Sequence, residues 1–115
     1  MAYDPGLAER IREHFSGRFD VSEKKMFGGL CFMMFNHMCC GIIGDTLMAR
    51  VGPARYDELL ARRYAKEMDF TGKAMKGMIY VDSEGLAEDV DLGQWLDNCS
   101  DFVLSLPAKA PKKKK

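Results

Sequence analysis

Adjacent Cys39 and Cys40, with His37 two residues upstream, form the densest group of metal-ligating and redox-active side chains in the sequence. Thiolates and an imidazole are zinc ligands, and a thiol pair is the usual redox couple. The surroundings argue against both chemistries. The pair lies in the apolar run MCCGII, which reads as a strand, and neighbouring residues on a strand point to opposite faces. Two such thiols cannot share one ion or close an unstrained disulfide. The four cysteines, Cys31, Cys39, Cys40 and Cys99, show no C-x-x-C spacing, so they are expected to be free thiols acting as small hydrophobes. A mixed site of one of these thiols with His37 is the alternative. His14 and His37 are the only histidines, and neither adjoins a serine or cysteine in a nucleophile elbow. No catalytic residues, metal or cofactor are expected, and the chain reads as a non-enzyme.

Positive charge offers the second kind of chemistry. Arg50 sits on an otherwise apolar strand, and Lys25, Lys73 and Lys76 occupy other segments that punctuate the sheet region. Together they could form a basic site for an acidic partner; the plainer expectation is solvated lysines and an arginine paired to a carboxylate. The last eight residues, AKAPKKKK, have the composition of a disordered basic tail. Lys112, Lys113, Lys114 and Lys115 could contact nucleic-acid phosphates, although no aromatic residue is interleaved to stack on bases. Lys plus Arg equal Asp plus Glu at 17 each, so no overall field draws the whole molecule onto nucleic acid or an anionic membrane. Gly28-Gly29 precedes an extended apolar run and matches no phosphate-loop pattern. It predicts a bulge or a close backbone approach.

These residues need elements to hold them. With 115 residues, the chain can bury a core without metals or disulfides, and one domain over residues 1–107 with a tail at 108–115 is expected. Asp4-Pro5 predicts a helix start, Leu7, Ile11 and Phe15 supply its apolar stripe, and Gly17 ends it. Residues 19–25 then lead to the first strand. Within residues 26–51, breaks at Asn36-His37 and Gly44-Asp45 separate three apolar stretches, the pattern of strands joined by tight hairpins. Gly52-Pro53 opens a second helix through Arg63. Strands follow at 66–70 and 75–82, with an acidic connection at 83–89. Leu92, Trp95, Leu96, Cys99, Phe102, Val103 and Leu106 recur at helical spacing, with Asp91 as the cap and Pro107 as the stop.

The order α-β-β-β-α-β-β-α describes an α+β domain of two layers, an antiparallel sheet with helices on one face. Phe32, Met33, Met34 and Phe35 cannot all point inward, so the other face is expected to carry an apolar patch for self-association or a protein partner. Met34 is the residue assigned to it. The nine methionines suit either an adaptable binding surface or gap-filling in the core. The N-terminal residues lack a secretory signal, and no apolar stretch approaches the ~20 residues of a membrane span. A cytoplasmic protein is expected.

KMFGGL at 25–30, GDTLMARV at 44–51, MDFTGKAMKG at 68–77 and YVD at 80–82 occur in an order and spacing that resembles the N-terminal domain of TfoX/Sxy proteins across residues 5–106. The resemblance implies a small α+β fold of secretion-chaperone-like architecture. Longer members of that family are regulators of natural competence, thought to act with the cyclic-AMP receptor protein at promoters, and carry a second helical domain. A role as a protein-interaction module in transcriptional or competence-related regulation, without catalytic residues, is what the resemblance implies here.

Overall fold

A computed structural model describes residues 3–17, 20–26, 28–70 and 73–106, with residues 26, 68–70 and 73–76 described through their backbone. The elements run α1 (Pro5–Phe15), β1 (Val21–Met26), β2 (Gly29–Met34), β3 (His37–Ile43), β4 (Thr46–Arg50), α2 (Pro53–Leu60), β5 (Ala65–Phe70), β6 (Lys73–Val81), a 3-10 turn (Ser83–Leu86) and α3 (Asp89–Ser105). The strands pair antiparallel in the order β1-β2-β3-β4-β6-β5. Three helices pack on one face. The fold is α+β, as the element order predicted.

Local chemistry explains most boundaries. The Asp4 carboxylate accepts the Gly6 and Leu7 amides at 2.9 and 3.4 Å, and Pro5 sits at the first helical position, so donors that helix geometry leaves orphaned are satisfied. The hairpin at Gly44-Asp45 forms as expected: Ile43 pairs with Thr46, and Gly44 takes a φ of 60°. The preceding hairpin turns one residue earlier than expected. Phe35 and Asn36 both have positive φ, 54° and 66°, and Met34 pairs with His37, the geometry of a type I′ turn whose twist matches that of its strands. α2 closes at Leu60, short of Arg63, and α3 begins at Asp89, before the expected cap at Asp91.

The main correction is β1. Residues 19–25 read as a connector because VSEKKM has no apolar face, yet Val21–Met26 pairs along its length with β2 from Val21↔Met34 to Met26↔Gly29. It is an edge strand, held by ladder hydrogen bonds and free to carry lysines toward water. Arg12 of α1 also grips it. Its Nε and Nη2 donate to the two Glu23 carboxylate oxygens at 2.6 and 2.8 Å, a bidentate fork. This hydrogen bond holds the Glu23 carboxyl below its ordinary pKa. A depressed carboxyl pKa adds stability above the unfolded value, about 4.3 for glutamate, and loses it as pH falls through the folded value. Both side chains are about one-third exposed, so the contribution is under about 1 kcal/mol. A carboxyl NMR titration should place the Glu23 midpoint below that of a free glutamate in the intact chain and return it to normal in Arg12→Ala.

The helix-side core joins Leu30, Phe32 and Met34 of β2, Ile42 of β3, Leu47 and Ala49 of β4, and Ile79 and Val81 of β6 to the apolar stripes of all three helices. On α3 that stripe is the one the sequence predicted, with Leu92, Trp95, Leu96, Cys99 and Val103 buried. Gly52, at a φ of 87°, lets α3 close on α2: a Cβ there would lie 2.3 Å from the Phe102 ring. Among the described residues no helix is long and apolar enough to cross a membrane.

Candidate functional site

The second face of the sheet carries no helix among the described residues, and its alternation with the helix-side core decides what it displays. Cys31 and Met33 of β2, Met38 and Ile43 of β3, Met48 of β4, and Met78 and Tyr80 of β6 form a separate apolar cluster. Cys31 and Met48 are fully buried and Met78 is 8% exposed, while Met33, Met38, Ile43 and Tyr80 are half-buried around them. Gly41 makes that packing possible. A Cβ there would meet the Met48 Cε at 2.5 Å and the Cys31 Sγ at 3.2 Å, so the missing side chain is the space these two fill. Two of the four rim residues, Met33 and Met38, are flexible thioethers, which repack against varied partner shapes.

Met34, assigned by the sequence reading to the partner surface, is not there. It has no exposed area and belongs to the helix-side core. Its neighbour Met33 is the methionine on the open face. Both parities of β2 are apolar, and only the helix layer decides which is covered.

The cysteines are corrected as well. The β2–β3 register slips between Phe32↔Cys40 and Met33↔Met38, leaving Cys39 as the extra residue of a bulge. Alternation stops at a bulge, so Cys39 and Cys40 both enter the helix-side core, where Cys99 of α3 joins them. All four thiols are free and buried. Burial raises the Cys31 pKa; the hydrogen bond with Cys39, and then burial, raise that of Cys40 well above its ordinary value; burial does the same for Cys99. Thiols held protonated are poor nucleophiles. Native protein should therefore react negligibly with Ellman's reagent at neutral pH over minutes, and all four thiols should react once guanidinium unfolds it. A fast native thiol would contradict this burial. His37 begins β3 and is half-buried, and no group of three or more His, Cys, Asp or Glu side chains among the described residues is placed to hold a metal ion.

Of the predicted basic residues whose side chains are described, Lys25 and Arg50 do not share one site. Arg50, at the end of β4, donates from Nη1 to the Met38 carbonyl at 3.1 Å and lies 5.3 Å from the Phe102 ring centre. Among the described residues a carbonyl and a ring, with no carboxylate, meet this guanidinium. Lys25 is exposed on edge strand β1, with Leu30 of the helix-side core as its register partner, whereas Arg50 pairs with Met78 of the open face. β2 and β3 lie between them. Lys73 and Lys76 lie on β6, their side chains outside the described part. Lys112, Lys113, Lys114 and Lys115 lie outside the described residues altogether. Sequence reasoning did not single out Met38, Ile43 and Tyr80 as a surface: Met38 and Ile43 have opposite parity on β3 and share a face only because the bulge at Cys39 breaks the alternation.

In a comparison with known families, the model of the TfoX N-terminal domain matches residues 13–103. Neither the curated proteins nor the solved structures gave a significant match.

Proposed function

Because the chain belongs to the TfoX N-terminal domain family over residues 13–103, we propose that it is a non-catalytic, cytoplasmic protein-interaction module that docks a protein partner or a second copy through its open sheet face, in transcriptional or competence-related regulation. One observation supports this reading above the others. Met33, Met38, Ile43 and Tyr80 form a half-exposed apolar rim over a buried methionine and cysteine floor on the sheet face that no described helix covers. An antiparallel sheet that faces only water alternates apolar with polar residues; the centre of this one is apolar on both sides, with Lys24, Arg50 and Lys66 around the open-face cluster. Contiguous apolar surface of that kind marks an interaction site.

Light scattering on the intact chain and on Met33→Lys tests the reading. A dimer that becomes a folded monomer on substitution identifies the face as a self-association surface. If both are monomers, the two proteins serve as matched baits for a protein partner at high salt. Capture by the intact chain and loss with Met33→Lys supports the reading, and equal capture by both sinks it. Met33 is half-exposed, so the variant should lose less than about 1 kcal/mol of stability.

A further inference from the structure

Away from the open sheet face, the connection from α2 to β5 places Arg62 and Arg63 beside each other, both exposed. Each guanidinium lies against an aromatic ring. The Arg62 Cζ is 5.9 Å from the Trp95 ring centre and the Arg63 Cζ 5.2 Å from that of Tyr64, within the range of cation–π attraction. Neither arginine forms an ion pair with a carboxylate among the described residues. The neighbouring Asp82 carboxylate is taken by the Lys66 ammonium at 3.0 Å.

The backbone beneath is fixed at some cost. Tyr64 has a φ of 69°, a left-handed conformation that disfavours a bulky side chain. It is locked there by the Asp82 amide, which donates to its carbonyl at 3.0 Å, and by the Ala65 amide, which donates to the Arg62 carbonyl at 3.2 Å. Gly85 makes room: a Cβ there would stand 2.9 Å from the Tyr64 Cβ. Strain held by surrounding structure is a feature of binding and catalytic sites. Here it holds the two arginines in the lining of a cleft of about 310 Å³, which Asp91 and Gln94 of α3 also line.

We propose that this cleft binds the phosphate of a small, hydroxyl-bearing phosphate ester. A guanidinium held against an aromatic ring by cation–π attraction still has N–H groups to donate, and their fork matches phosphate oxygens. Two adjacent forks exceed what one carboxylate can accept, whereas a phosphate dianion offers three oxygens. Asp91 disfavours a ligand that is charged throughout, and with Gln94 it accepts hydrogens from hydroxyls on the uncharged part. The cleft volume is at the small end of ligand pockets, about 300–1,000 Å³.

The test is a titration of the intact chain with ribose 5-phosphate, inorganic phosphate and ribose, read by the fluorescence of Trp95, the chain's one tryptophan, and repeated by calorimetry. Saturable binding of the ester is expected, with inorganic phosphate weaker and ribose silent. Arg62→Ala and Arg63→Ala should each weaken the ester by about tenfold. Asp91→Asn should shrink the preference for the ester, because it tightens inorganic phosphate, which the carboxylate repels, and weakens the hydroxyl contact. Both arginines are exposed, so the variants should keep the thermal midpoint and circular dichroism of the parent. Ester binding unchanged in the double arginine variant, inorganic phosphate as tight as the ester, no binding in calorimetry, or binding of a single-stranded oligonucleotide alone would each overturn the proposal.

Discussion

Met34→Lys is expected to abolish the native fold, whereas Met33→Lys, one residue earlier on the same strand, leaves it standing. Met34 has no exposed surface and packs among Leu30, Phe32 and the helix stripes. An ammonium group placed there loses its hydration and gains no carboxylate from the buried residues of that cluster. Burying an unpaired charge or a neutralised lysine costs at least several kcal/mol, against a total stability of about 5–15 kcal/mol for a domain of this kind. Met33 points to the open face and is half-exposed, so a lysine there can extend its stem over the apolar rim and keep its charge in water. Circular dichroism and guanidinium titration of the two variants decide it. A cooperative, parent-like transition for Met34→Lys, together with collapse of Met33→Lys, would mean that the helices cover the opposite face of β2.

The second large effect concerns Gly29. A Cβ at this position would sit 2.0 Å from the Ile42 carbonyl oxygen and 3.1 Å from the Ile43 side chain. Neither the oxygen nor the strand that carries it can move without opening the β2–β3 ladder, where Leu30 pairs with Ile42. Gly29→Ala should therefore cost about 3 kcal/mol or more, the upper range of overpacking. Gly28 provides the control. Its φ is 75°, and a Cβ there would meet nothing within 4 Å, so Gly28→Ala should cost only the left-handed penalty of about 1–2 kcal/mol. Urea midpoints measured on both variants test the order. If Gly28→Ala is the more damaging, turn conformation outweighs strand approach at this hairpin.

Together these contrasts show how closely the two sheet faces are balanced. The helix side gains a full core from three helices, and the open side gains a smaller one from Cys31, Met48 and Met78. The methionines that the sequence offered as either core or binding surface divide by exposure: Met34 and Met48 are buried, and Met33 and Met38 are partly exposed on the open face.

Sequence alone determined the features that depend on near neighbours. The Asp4-Pro5 start, the Gly44-Asp45 hairpin and the apolar stripe of α3 each follow from capping, turn and periodicity chemistry within a few residues, and the sequence motifs carry the family. Of the bulge or close approach expected at Gly28-Gly29, the close approach occurs at Gly29, where a glycine inside a strand signals a neighbour near its Cα, while Gly28 is a turn residue at positive φ.

What the sequence left open was decided by partners far along the chain. β1 forms because β2 offers it a ladder, a gain that its own polar residues do not announce. Met33 and Met34 have the same chemistry, and a strand apolar on both parities carries no mark of which side the helices cover. Cys39 joins Cys40 in the core because one extra residue in β3 breaks the alternation, and a bulge is set by the register with β2. Arg50 ends against the Met38 carbonyl and the Phe102 ring, and Arg62 against Trp95. Periodicity places a side chain on a face; only tertiary packing chooses what that face meets.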